Sequence, residues 1–298
     1  MSRRKRRYVK PSPSSIGIEA PRGASPRRRA VLIAAAALAV VALLAGGMAA
    51  FVLVDAGGGP ARPRAAIIDE LGVTDPNPTL LEQSRQSLVD AGYAVDMYPN
   101  DQVTVDLFRR LPERGYRLVI IRGHSAGENS RTDPNTHAVV QEPLISLFTS
   151  EPYSRERYVD DQRALRLDIV QIGHSYVEGQ FGAGVQVANP PNDRYFGITP
   201  AFMENSAKGK FRGTTVLLMG CDAANTDGMA SALIKKGAGV VAGWDGPVSV
   251  EHTDAALAHV LQHLLSGKLD PGAAVAATMA DIGPDPSFGA KFIAYPKS

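Results

Sequence analysis

The sequence predicts an α/β domain with a doubly wound, mostly parallel sheet, preceded by one transmembrane helix. Short apolar runs of strand length alternate with amphipathic segments that end at glycines, and this alternation predicts the sheet and its crossover helices. An uncharged stretch of 25 residues near the N-terminus predicts the membrane helix. A less regular middle segment predicts an inserted irregular or β region within the sheet domain.

Residues 1–29 form a basic tail that holds ten Lys and Arg residues against one acid, Glu19. Residues 30–54 carry no charge, and this stretch is longer than the roughly 7–15 residues of a signal-peptide core. We therefore expect an uncleaved single-pass helix in the lipid bilayer. The positive-inside rule places the tail in the cytoplasm and the C-terminal domain outside the plasma membrane.

The tail is rich in Pro, Ser and Arg, which predicts disorder. Its arginines suit anionic lipid headgroups better than nucleic acid, and we expect no nucleic-acid partner. A Gly/Pro linker at 55–64 separates the membrane helix from a domain at 65–298. The chain has a single cysteine, Cys221, which excludes an intrachain disulfide.

The first half of the domain predicts a βαβαβ run, with strands at 65–68, 94–98 and 118–121. A capping box at Thr79–Glu82 predicts the start of the first helix.

The region 128–212 is less regular, and partial alternation at 164–188 predicts a β-hairpin there. The second half resumes the α/β pattern. Its predicted elements are strands at 215–219, 239–243 and 291–295, with helices at 229–236, around 257–265 and after Asp270.

Ligand sites in such sheets lie beyond the carboxyl ends of the strands. Two strand ends carry chemistry: Gly123-His124-Ser125 and Gly220-Cys221. A cysteine becomes a nucleophile when a neighbouring base or positive charge favours its thiolate, and His124 is the candidate base. The alternative is that Cys221 is a small buried apolar residue. Asp69 and Glu70 close the first strand and could face the same site.

An apolar strand that ends in histidine, followed by a later apolar strand that ends in Gly-Cys, resembles the layout of the caspase, gingipain and CHAT-domain group. Residues 219–249, MGCDAANTDGMASALIKKGAGVVAGWDGPVS, are similar to CHAT-type sequences. The resemblance implies a caspase-like cysteine peptidase that acts on a peptide or protein, with Cys221 as nucleophile and His124 as general base and acid. Gly123, Ser125 and Gly220 would form the oxyanion loops, although the group usually has His-Gly where this chain has His124-Ser125.

Three further residues follow the strand that lines the substrate pocket in the similar enzymes: Trp244, Asp245 and Glu251. An acidic wall there would favour a Lys or Arg side chain before the scissile bond. The alternative is that the two acids are solvated loop residues.

Other interpretations remain open. Gly123 to Gly127 matches G-x-S-x-G, so Ser125 could be an esterase nucleophile, but the polar residues that follow do not predict the required helix. His259 and His263 are spaced as a metal pair, but without an evident third ligand we expect plain helix residues and no metal or cofactor. His174 ranks below His124 because it lies in the insertion. The same fold could also serve as a catalytically inactive binding or sensing module.

Overall fold

The computed structural model describes residues 62–128, 131–132, 139–140, 144–171 and 194–296. They belong to one compact unit, Arg62–Ser298. The predicted basic tail and transmembrane helix lie outside the described residues. Within the described ranges, no helix combines the length and apolar character needed to cross a membrane.

The main sheet has six strands in the order β12-β11-β10-β3-β1-β2. Five strands run parallel, and β12 pairs antiparallel with β11. This arrangement confirms the predicted α/β class with a mostly parallel sheet. The strands are β1 (Arg64–Asp69), β2 (Ala94–Tyr98), β3 (Leu118–Arg122), β10 (Thr214–Met219), β11 (Ala238–Trp244) and β12 (Phe292–Tyr295).

Helices cover both faces of this sheet, which explains why its central strands are apolar along their whole length. One face is buried by apolar residues of α1 (Pro78–Asp90), α6 (Val250–Leu265) and α7 (Pro271–Ile282). The other is buried by α2 (Val105–Arg110), α4 (Pro200–Asn205) and α5 (Asp227–Lys235).

A second, antiparallel sheet is inserted between β3 and β10, in the order β4-β7-β9-β8. Its strands are β4 (Ser125–Glu128), β7 (Leu144–Pro152), β8 (Leu167–Gln171) and β9 (Arg194–Ile198), and the same insertion holds α3 (Val159–Arg163) and the short pair β5 (Arg131–Thr132) and β6 (Val139–Val140). The predicted inserted β region is thus confirmed. Of the predicted hairpin at 164–188, residues 172–188 lie outside the described residues, and the described partner of β8 is β9, further along the chain.

The first helix begins earlier than predicted. Asn77 is its N-cap, and the Asn77 side chain accepts a hydrogen bond from the Leu80 N–H at 3.1 Å. Pro78 at the first helical position fixes this start, since proline suits that position. The predicted Thr79–Glu82 capping box is therefore wrong, whereas Asp270 caps α7 as predicted, through the Ala273 N–H at 3.0 Å.

Candidate functional site

The carboxyl ends of β3 and β10 are adjacent, with Met219 opposite Arg122 in the parallel register. Beyond this pair the two backbone segments come unusually close. A Cβ atom on Gly220 would lie 2.1 Å from the carbonyl oxygen of Gly123. Only glycine permits this approach. The segments that carry His124 and Cys221 therefore leave the sheet next to each other, at the same edge.

Cys221 is half-buried, and its sulfur contacts the backbone of Val248. Its Sγ lies 3.4 Å from the Val248 carbonyl oxygen, which accepts the S–H, and 3.5 Å from the Val248 nitrogen, which donates to the sulfur. Burial raises the pKa of the Cys221 thiol, and the nearby charges of Asp222 and Asp285 raise it further. At neutral pH this cysteine is therefore a thiol rather than a thiolate.

His124 is positioned by a buried carboxylate on the neighbouring strand end. Its backbone N–H donates to Glu70 Oε2 at 2.8 Å, and its ring lies 5.9 Å, between centroids, from Phe148. The Nε2 atom is 3.4 Å from the Thr74 hydroxyl oxygen. Burial raises the pKa of Glu70, against the opposing effect of His124.

Arg122, the residue before Gly123, is fully buried and anchors the end of β3. Its guanidinium donates twice to Asp254 on α6, at 2.7 and 2.9 Å, and once to Asp69, at 2.8 Å. A fourth bond, of 2.8 Å, goes to the Asp75 carbonyl oxygen. Burial raises the pKa of Asp69 in spite of the arginine. This network ties β1, β3 and α6 together immediately below the site.

Ser125 links the two strand ends instead of being presented as a nucleophile. Its hydroxyl donates to the Cys221 carbonyl oxygen, and the residue is buried. The chain continues from Ser125 into strand β4, whereas a nucleophile elbow requires a helix at this point. The esterase interpretation of Ser125 requires a helix directly after the serine, and the structure has strand β4 there instead.

The segment 245–249, here called the capping loop, places Val248 on the thiol. The Gly246 carbonyl oxygen accepts the Asp222 N–H at 2.9 Å. Asp285 Oδ2 accepts both the backbone N–H and the hydroxyl of Ser249, at 2.9 and 2.7 Å. Burial opposes ionisation of Asp285, but these hydrogen bonds and two more from backbone N–H groups outweigh it and lower the pKa of the carboxyl.

The three predicted substrate-binding residues have different environments. Trp244 is fully buried; its indole N–H donates to the Thr253 hydroxyl at 2.9 Å, so it is a core residue with no surface to offer a ligand. Asp245 accepts the Lys291 N–H at 2.6 Å. Glu251 is exposed on the first turn of α6. Of these three residues, Asp245 and Glu251 are accessible to solvent and Trp244 is not.

Sequence reasoning missed the residues that hold the site in place, namely Arg122, Asp254, Val248 and Asp285. His174 lies outside the described residues. In the part of the chain that the structure describes, one group of three potential metal ligands is found, and it includes neither His124 nor Cys221.

The chain matches no protein family model, and no curated protein is significantly similar to it in sequence.

Proposed function

We propose that the protein is a membrane-anchored, caspase-like cysteine peptidase in which Cys221 is the nucleophile and His124 the general base and acid. The observation that carries the proposal is the close approach of Gly123 and Gly220, which brings the two candidate residues out of neighbouring strand ends. The site also lies at the carboxyl edge of a mostly parallel sheet, the usual position of active sites in α/β folds.

In the proposed reaction, His124 takes the proton of the Cys221 thiol as Sγ attacks the scissile carbonyl carbon. Backbone N–H groups near the two strand ends would stabilise the resulting oxyanion. The C–N bond then breaks, and His124 returns the proton to the leaving amine. Water, deprotonated by His124, hydrolyses the thioester and regenerates the thiol.

The resting site would be latent. Val248 occupies both hydrogen-bonding directions of the sulfur, and the raised pKa of Cys221 keeps it protonated. A peptide could reach Sγ only after the capping loop moves. Entry of water around the sulfur would reduce the desolvation that raises the thiol pKa.

The contact between Cys221 and Val248 also favours a second candidate function, a catalytically inactive binding or sensing module on this fold. A half-buried, protonated cysteine whose S–H is donated to a backbone carbonyl is also typical of a purely structural residue. In that case, opening the capping loop would expose the thiol without producing hydrolysis.

Hydrolysis of a mixed peptide library separates the two functions. We expect the full-length chain in mild detergent, with the capping loop weakened by Asp285→Asn, to cleave peptides. Adding Cys221→Ser should reduce the rate by at least about a hundredfold, because the nucleophile is lost. Iodoacetamide should have the same effect, since Cys221 is the only cysteine. If the loop-weakened protein cleaves nothing, or Cys221→Ser cleaves equally well, the peptidase proposal fails.

The membrane anchor is part of the proposal and rests on the uncharged residues 30–54 and the basic tail before them. The chain should remain in the membrane pellet after alkaline carbonate extraction. A chain lacking residues 1–54 should appear in the supernatant. Full extraction of the intact chain would contradict an integral anchor.

A further inference from the structure

Two histidines and one aspartate meet where α6 packs against α7. His259 and His263 lie one helical turn apart on α6, the spacing that puts two side chains on the same face. Asp281, near the end of α7, places its Oδ2 3.1 Å from His259 Nδ1 and 2.7 Å from His263 Nε2. The three ligand atoms all lie within 4.8 Å of one another. The aspartate is the third group that the sequence alone did not provide.

We propose that His259, His263 and Asp281 form a binding site for a divalent transition-metal ion of the zinc class. Zinc–nitrogen and zinc–oxygen bonds of about 2.0–2.1 Å in tetrahedral geometry separate neighbouring ligand atoms by about 3.3 Å. The two N···O separations, 3.1 and 2.7 Å, are about 0.2 and 0.6 Å shorter than that value. Small side-chain rotations would therefore admit the ion.

The donor set favours this class of ion over others. Imidazole nitrogens suit Zn²⁺, Ni²⁺ and Cu²⁺, whereas Ca²⁺ and Mg²⁺ prefer all-oxygen ligands. The side chains are 37%, 23% and 42% exposed for His259, His263 and Asp281, so an ion can enter from solvent without opening the core. Three protein ligands would leave at least one coordination position for water or another ligand.

The position of the site suggests what the ion would stabilise. Its ligands join the second half of α6 to the end of α7. Asp254, which binds Arg122, lies on the same α6, and Asp285, which holds the capping loop, follows α7 by three residues. A bound ion would hold together the two elements that carry these anchoring residues. The metal site itself does not depend on the proposed peptidase function.

The test uses untagged, full-length chain in mild detergent, stripped of metal with a chelator. Zn²⁺ is titrated in competition with a chromophoric chelator, and the melting temperature is measured with and without Zn²⁺. We expect tight binding of a single ion and a rise in melting temperature of several degrees, with neither effect from Mg²⁺. Asp281→Asn and His263→Ala should each weaken Zn²⁺ binding by at least about tenfold.

His252→Gln on the same helix is the matched control, because it removes an imidazole that contacts the Gly283 carbonyl oxygen instead of the cluster. It should bind Zn²⁺ like the wild type. Asp281→Asn keeps the shape of the side chain on an exposed surface, so it should fold normally by circular dichroism. The proposal is overturned if the wild type binds no Zn²⁺, or if the His259→Ala/His263→Ala double variant binds it as tightly as the wild type.

Discussion

Arg122→Leu is expected to lower the free energy of unfolding by about 3–5 kcal/mol, the usual effect of removing one partner from a buried ion pair. The substitution leaves the buried carboxylates of Asp69 and Asp254 without their cation. It also removes the contact between the end of β3 and the Asp75 carbonyl. Because this strand end carries His124, the geometry of the proposed dyad should be lost together with stability.

Urea denaturation of the full-length chain in detergent measures this effect, and Arg117→Leu is the control. Arg117 is exposed just before the same strand, so its loss should change stability by less than about 1 kcal/mol. Replacing Asp254 as well, in Arg122→Leu/Asp254→Leu, should recover part of the stability, since one unpaired charge disappears. An Arg122→Leu effect as small as that of Arg117→Leu would contradict an anchoring role.

Asp285→Asn is expected to raise the rate of iodoacetamide alkylation of Cys221 by about thirtyfold at neutral pH. Each carboxylate oxygen of Asp285 accepts two hydrogen bonds, and an amide retains only one of these oxygens. Loss of a charged acceptor pair costs about 2 kcal/mol, which corresponds to about a thirtyfold increase in the open population of the capping loop. Removing the negative charge of Asp285 also lowers the pKa of the Cys221 thiol. A lower pKa increases the fraction of reactive thiolate.

Asp270→Asn is the matched control, because it makes the same change at a backbone-capping aspartate at the other end of α7. It should leave alkylation unchanged. The pKa of Asp285 is lowered by folding, so its stabilising effect is complete above the unfolded value of about 3.9 and is lost as the pH falls below it. The difference in melting temperature between wild type and Asp285→Asn should therefore persist from pH 5 to 8 and shrink below about pH 4. Equal alkylation rates in the wild type and Asp285→Asn would contradict control of Cys221 reactivity by the capping loop.

The strands of the main sheet were predictable because each is a local apolar run bounded by turn residues. The placement of His124 and Cys221 at strand ends followed from the same runs. The start of α1 was not predictable to the residue, since Asn77 and Thr79 are both good caps and Pro78 decides between them. The pairing within the second sheet was not predictable, because β8 and β9 are separated by residues 172–193, and the partial alternation at 164–188 favoured a partner nearer in the chain.

The anchoring contacts escaped sequence reasoning because they join residues far apart in the chain. Arg122 and Asp254 are 132 positions apart, and Ser249 and Asp285 are 36 apart. In the sequence, each of these residues looks like an ordinary polar or charged residue at a strand end, in a loop or on a helix. Trp244 was misleading for a related reason: its position after a core strand suited a pocket, but its buried partner Thr253 lies on the following helix.

The most direct test of the proposed dyad is the pH profile of Cys221 alkylation in Asp285→Asn, with and without His124→Ala. If His124 is the base, His124→Ala should slow alkylation at pH 7 by at least about tenfold and move the apparent pKa up towards the ordinary thiol value of about 8.5 or above it. Identical rates and identical pH profiles in the two proteins would contradict the dyad. Cys221 would then be a packed core residue, and the binding or sensing module would replace the peptidase.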